Sequence, residues 1–331
     1  MQRPLWLIAV VLLLSKFSKA QLPLQVIQAD TLRHYVQALS HDSAMGRYTT
    51  SAGAHMAANW IAAQFANIGL STINGNDGYM QAYLQRNGFA QVMGLNVMGV
   101  IDGNGKSNRI VIICAHYDHV GTHTQNAALN HQLEQEGFPS LKVDSIYNGA
   151  NDNASGVAAM LMLAKYFRRL PPPDYSMLFV AFSGEELGLL GSTALASQLD
   201  ANRIQQVINL EMLGRARGSR PDQQLPFVTY GVHDDWVIDS LNKHYRQLSG
   251  TNSRSDYFLF DDFKMQQLYK RSDNFPFSEL KIPANTIMLG TDKDKYYHHP
   301  DDEWQTLDYN LMEKVVRAIA MAITPFMRIG H

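Results

Sequence analysis

The sequence predicts a single α/β domain in which helices flank both faces of a mixed, mostly parallel central β-sheet. Three observations carry this. Short apolar, β-branched runs alternate with segments of helical period from Arg109 to the C-terminal region. No linker, internal repeat or low-complexity stretch divides the 331 residues. Acidic and imidazole side chains stand just after apolar runs, where open α/β sheets place their chemistry.

The elements follow in order. Residues 1–20 begin Met1-Gln2-Arg3, continue through an apolar run from Leu5 to Leu14, and end in Ser18-Lys19-Ala20. A basic start, an apolar run too short to span a bilayer and small residues at the cleavage positions predict an export signal. The domain then occupies residues 21–331, exported to the periplasm or the medium, and cleavage leaves no stable membrane anchor. Residues 28–70 read as helical, with Leu32, Tyr35, Val36 and Leu39 at helical spacing before the polar break HDSAMGRYTTSAG, and Gly69 as the stop. Between Tyr79 and Ile101 the pattern turns to alternation, predicting two or three strands before the turn Asp102-Gly103-Asn104-Gly105. Strands are expected at 109–115, 176–182, 207–213 and 286–289, and helices at 156–170, 187–198 and 309–323. Pro171-Pro172-Pro173 closes the first of those helices.

With 46% hydrophobic and 18% charged residues the composition is that of a globular protein with a sizeable core. A formal net charge of -2 offers no electrostatic basis for a nucleic-acid partner. The single cysteine, Cys114, can form no internal disulfide and lies in the apolar run RIVIICAHYD, which makes it a core hydrophobe.

Five segments carry metal-ligating residue types: HYD at His116, NGANDNASG around Asp152, FSGEELG with Glu185 and Glu186, INLEMLG with Glu211, and YYHHPDD with His298 and His299. They supply the inventory of a two-metal hydrolytic centre with its own general base. His116 offers a neutral imidazole, and Asp118 is placed to accept its other ring N–H. Asp152, in a capping and turn cluster before a helix, becomes a candidate bridge between two ions. Adjacent acids after an apolar strand are costly to desolvate unless a cation is near, so Glu186 is assigned as a ligand and Glu185 as general base. Neighbours on an extended strand point to opposite faces, so Ser183-Gly184 must break the extended geometry. Glu211 sits within an apolar run, where an unpaired acid is rare. Two divalent ions are offset by Asp152, Glu186, Glu211 and one hydroxide. His119, His123 and His131 are expected to be solvated.

These segments resemble the M28 family of zinc aminopeptidases. The likeness runs from MGRYTTSAG at Met45 through HYDHVG, DSIYNGANDNASGVAAML, FVAFSGEELGLLGS, INLEMLGR and RSDNFPF to YYHHPDDEW, in the family's order. The resemblance implies the zinc-dependent exopeptidase fold, one zinc on His116, Asp152 and Glu211, and a second on Asp152, Glu186 and His298. It selects His298 over His299, makes Glu185 the acid/base and Asp118 the residue that orients His116, and implies a cis peptide at Asp152–Asn153. It also implies peptide substrates with a free N-terminus, hydrolysed by a zinc-activated water. One departure is Glu211, where the peptidases usually have Asp; the extra methylene moves the carboxylate by about 1.5 Å. That makes occupancy of the site formed by His116, Asp152 and Glu211 the point to test.

Other activities share this chemistry. Glutaminyl cyclases have the same fold and use one zinc held by Asp, Glu and His. A metallo-carboxypeptidase or amidohydrolase would need a cation for the substrate carboxylate, with Arg215, Arg217, Arg254 and Arg271 as candidates. Residues 214–285 carry Trp236, Tyr257, Phe258, Phe260, Phe263 and Tyr269, which either line the pocket or pack in the core. A non-catalytic binding module of this fold would have lost ligands that are all present here.

Overall fold

The computed structural model describes residues 22–135, 145–229, 235–251, 255–261 and 266–330. The expected export signal, Arg254 and Phe263 lie outside these residues. Among the described residues no helix is long and apolar enough to cross a membrane.

An eight-stranded sheet forms the centre. Its strands are β1 (Met80–Asn87), β2 (Ala90–Ile101), β3 (Ile110–His116), β4 (Ser176–Phe182), β5 (Ile204–Glu211), β6 (Phe227–Val228), β7 (Leu259–Phe260) and β8 (Ala284–Met288), in the order β1-β2-β4-β3-β5-β8-β6-β7. The inner strands β4, β3, β5 and β8 run parallel. The β1–β2 hairpin is antiparallel and joins β4 antiparallel, while the β6–β7 pair meets β8 antiparallel through β6. The expected mixed, mainly parallel sheet is therefore present, with its parallel pairings concentrated at the centre.

Side-chain alternation along the inner strands explains why helices lie on both faces. On β3, Val111, Ile113 and Ala115 face one core, together with α1 (Ala29–Leu39), α2 (Ala52–Ile68), α4 (Gly156–Phe167), α6 (Asp235–Ser249) and α8 (Tyr309–Ile323). Ile112 and Cys114 face the opposite, smaller core, closed by α5 (Leu190–Gln198) and by Phe277 of α7 (Phe275–Ser278). Helix α3 (Ala127–Gln135) packs Leu133 and Leu129 in a small separate cluster with Val120 and Tyr147. Helix α4 is apolar all round, with every residue from Val157 to Ala164 fully buried between the sheet and α1 and α8. Each such Leu or Met contributes about 1.5–3 kcal/mol on burial, which pins the helix and the turn that precedes it.

Local signals set the helix ends. Ser51 accepts from the Ala54 N–H at 3.1 Å to start α2, and Gly69, at φ +82°, ends it. Asp308 caps α8 through the Leu311 N–H at 2.9 Å. Several expected bounds move: β5 starts at Ile204 and ends at Glu211, α5 starts at Leu190, and α4 ends at Phe167. In the second case Gly188 and Leu189 adopt positive φ, so the turn after Glu186 consumes three residues that have helical composition. Residues 214–285 hold α6, α7, β6 and β7. Phe258 is buried and Tyr257 stacks on Tyr245 at 4.4 Å, so these aromatics serve the core. Cys114 is also fully buried, and burial pushes its thiol well above the ordinary range, as befits a core residue.

Candidate active site

The carboxyl ends of β3, β4 and β5 open onto one cleft, lined by His116, Asp152, Glu185, Glu211, Met212, Leu268, Arg271, Ser272, Met288, Asp292 and Tyr297. His116 is the last residue of β3 and Glu211 the last of β5, while Glu185 and Glu186 follow β4. Gly184, at φ +76°, breaks the extended backbone there as expected, since a Cβ would also meet the Tyr83 hydroxyl at 2.6 Å.

The structure brings His116, Asp152, Glu186, Glu211 and His298 together. His116 Nε2 lies 3.3 Å from Asp152 Oδ1 and 3.3 Å from Glu211 Oε2. The other oxygen of Asp152, Oδ2, lies 3.3 Å from His298 Nε2, and Glu186 Oε2 lies 3.1 Å from the same nitrogen. Each Asp152 oxygen thus faces a different imidazole. Two groups of potential ligand atoms result, each within 4.8 Å of one another: His116, Asp152 and Glu211, and His119, Asp152, Glu186 and His298. His298 lies in this cluster and His299 does not, because His299 Nδ1 accepts from the Asp301 N–H at 3.0 Å.

The turn carrying Asp152 is fixed from several sides. The Asp302 carboxylate accepts the Asn151 N–H at 3.0 Å and the Asp152 N–H at 3.1 Å. Asn153 ties the turn to β5, donating to Leu210 O at 2.9 Å and accepting the Met212 N–H at 3.1 Å. The Asp152–Asn153 peptide is cis. Met212 and His298 both have positive φ, a left-handed conformation that non-glycine residues keep only where surrounding contacts over-determine it.

Asp118 departs from the expected geometry. The His116 Nδ1 meets the backbone carbonyl of Asp118 at 3.2 Å, while the nearer carboxylate oxygen is 3.7 Å away. The carboxylate instead accepts the Thr49 hydroxyl at 2.8 Å and the Glu185 N–H at 3.3 Å. It therefore sets the backbone that presents Glu185. The ring of His116 is oriented by main chain, because the chain curls after β3 rather than staying extended.

His119 is a correction. Expected in solvent, it is fully buried, with Nδ1 2.9 Å from Glu186 Oε1. His123 is half-buried and His131 exposed. His119 follows the end of β3 by three residues, and only the fold shows that this second imidazole turns inward. Arg47 was also not legible as a site residue. It is fully buried and donates to the carbonyls of Tyr117 (2.7 Å), Leu39 (2.9 Å), Asn148 (2.6 Å) and Gly149 (2.9 Å). Burial pushes its guanidinium down to about 10, against the pull of Asp302, Asp118, Asp152 and Glu186, so it stays charged at neutral pH.

The electrostatics suit a cation. Burial raises Glu185 well above the usual carboxylate range, with Glu186, Asp273 and Glu211 adding to it against His116. Burial likewise raises Glu211. For Glu186 burial is outweighed by His298 and His119, which bring it down to about 2. His116 and His298 are held well above the usual imidazole value: burial works against their charge, and Glu211 and Glu186 respectively overcome it. Glu211 Oε1 and His298 Nε2 are buried without a hydrogen-bond partner among the described residues. Imidazole nitrogens and carboxylate oxygens 3.1–3.3 Å apart and converging on common points fit ligands aimed at a shared ion.

A profile of peptidase family M28 matches residues 96–323, more than half of the chain. The chain belongs to peptidase family M28. Its relatives include aminopeptidase YwaD of Bacillus subtilis, 24% identical over 251 residues that make up 73% of this chain and 47% of that protein. A probable zinc metalloprotease of Pyricularia oryzae is 30% identical over 148 residues, 44% of this chain and 26% of that one. This M28 chain thus spans about half or less of the length of these curated relatives. Among solved structures, the aminopeptidase from Aneurinibacillus sp. strain AM-1 superposes with a TM-score of 0.66 at 18% identity, covering 94% of this chain and 96% of that one. The glutaminyl cyclase of Porphyromonas gingivalis gives 0.65 at 18%, covering 89% and 97%. These two likenesses establish the shared fold.

Proposed function

We propose that this M28 chain is a zinc-dependent aminopeptidase that hydrolyses the first peptide bond of substrates with a free N-terminus. The observation that carries the reading is Glu185, a half-buried carboxylate facing the same cleft as His116, Asp152 and Glu211 and belonging to neither ligand group. His116, Asp152 and Glu211 would hold one ion, and Asp152, Glu186 and His298 the other. Bound there, a zinc pair supplies Lewis acidity towards a scissile carbonyl and acidifies water. Glu185 accepts the proton of the attacking water and returns it to the leaving amine. Burial raises it above the usual carboxylate range, which makes it a stronger base than an exposed Glu. Asp118 holds the Glu185 N–H and so fixes where the base stands.

The acidic cleft favours a substrate ammonium. Arg271, which lines it, is paired with Asp292 at 2.7 Å, and Arg215 is tied to Asp294 at 2.6 Å and Asp302 at 2.8 Å. Arg217 lies over the Phe227 ring and donates to main-chain carbonyls. Among the described residues, Arg215, Arg217 and Arg271, three of the four cations named for a carboxylate-binding activity, thus have structural partners, which speaks against a carboxypeptidase built on them.

The test is zinc content per chain, measured beside cleavage of an unblocked and an N-acetylated aminoacyl substrate. Two zinc ions with cleavage of the unblocked substrate alone are expected. One zinc, with conversion of an N-terminal glutamine peptide to its cyclised product, would replace the reading by a glutaminyl cyclase. We also propose that residues 1–20 are removed on export to the periplasm or medium. Sequencing the N-terminus of protein from those fractions should start near Gln21, and an intact Met1 there would overturn it.

A further inference from the structure

His119 has no part in the chemistry above, yet it is fully buried against the centre. Its ring crosses that of His298 edge-on at 5.5 Å. Its Nδ1 lies 2.9 Å from Glu186 Oε1 and 3.9 Å from Asp152 Oδ2. The slot for the ring is built: a Cβ on Gly149 would stand 2.5 Å from its Cγ and Cδ2, and Arg47 holds both sides, accepting the His119 N–H at 3.3 Å and donating to Gly149 O. A side chain so placed is either a further ligand or the group that orients one.

The second nitrogen decides between them. A neutral imidazole carries one N–H, and a coordinating nitrogen must be the bare one. Were Nδ1 a ligand, the proton would sit on Nε2, which is buried with no hydrogen-bond partner among the described residues. Ligating histidines almost always donate their other N–H to an acceptor. His116 shows that arrangement here, with Nε2 towards the carboxylates and Nδ1 on the Asp118 carbonyl. His119 lacks it. With the proton on Nδ1, Glu186 Oε1 is its acceptor and the bare Nε2 leaves no buried donor unsatisfied.

We propose that His119 is a positioning residue: its Nδ1–H holds Glu186 Oε1, which commits Oε2, 3.1 Å from His298 Nε2, to the ion. This rests on the two-zinc reading. Glu186 then binds through one oxygen, and its carboxylate cannot swing out of the group it shares with Asp152 and His298.

Zinc affinity of the full chain, measured by competition with a chromophoric chelator, tests the proposal in the wild type and in H119A, H119N and H119Q, with circular dichroism on the same samples. The asparagine amide N–H falls where Nδ1 stands; the glutamine amide reaches the Nε2 position instead. Expected are two zinc equivalents in the wild type, with one weakened about ten- to hundred-fold in H119A and the other unchanged. H119N should recover most of the loss and H119Q little of it. Wild-type affinity in all three variants overturns the proposal, as does equal recovery by asparagine and glutamine. H119N as weak as H119A overturns it in favour of direct ligation. A wild type that takes up no zinc overturns the metal centre and this role with it. Should H119A not fold, the contrast between H119N and H119Q decides.

Discussion

Glu185 and Glu186 are chain neighbours in opposite electrostatic states. Burial keeps the first high, while His298 and His119 bring the second down to about 2. Glu185 also stands outside both ligand groups, where a proton carrier must stand. Replacing Glu185 by Gln should therefore lower kcat by about 10³-fold, the scale of general-base catalysis, and leave zinc content unchanged. Parallel loss of zinc would place Glu185 among the ligands. Glu211 poses the reverse question. Its Oε2 reaches to 3.3 Å from His116 Nε2 and is steadied by the Ser272 hydroxyl at 2.9 Å. The longer side chain matches the position of its strand end, so Glu211→Asp should withdraw the carboxylate and weaken one zinc equivalent. Tighter binding in a metal titration of that variant would show that Glu211 is a handicap.

Elements carry these side chains, and Arg47 joins them. Its fork links the end of α1 at Leu39, the loop after β3 at Tyr117 and the turn before Asp152 at Asn148 and Gly149. Removing it leaves four carbonyls without their donor, and each buried unsatisfied group costs about 1–3 kcal/mol. Arg47→Met should destabilise the fold by about 3 kcal/mol or more in urea unfolding, with Arg47→Lys intermediate because an ammonium lacks the planar fork. Unchanged stability in Arg47→Met would refute that role. The sequence shows Gly46-Arg47 only as part of a polar break between two helices. Its meaning depends on three other segments, the farthest 102 residues along the chain from Arg47.

For the molecule as a whole, metal binding, protonation and stability are linked. His116 and His298 are held above the usual imidazole value, so they keep their protons to higher pH than free histidine. A cation must displace those protons, and Glu211, raised by burial, adds to the competition below neutrality. Affinity for zinc should rise with pH and fall as pH drops, by about tenfold per unit for each proton displaced. Calorimetric titration at pH 7 in two buffers of different ionisation enthalpy should report net proton release; none would contradict the raised imidazoles. Chelation should also lower the melting temperature, since an ion that binds only the folded chain stabilises it. An unchanged melting temperature would mean that the carboxylates hold their shape without a cation.

The sequence by itself determined the α/β class and the main strands and helices, and it pointed to His116, Asp152, Glu186 and Glu211 as candidate ligands, with His298 chosen over His299 only through the family resemblance. Strand periodicity is local, and acids or imidazoles at the ends of buried runs are too costly to be accidental. Tertiary structure alone decided the rest. His119 turns inward because Gly149 leaves it room and Arg47 holds the walls, and Asp118 serves Glu185 because the chain curls after β3. Those outcomes depend on which distant backbone approaches a side chain, and no pattern of neighbours along the chain encodes that.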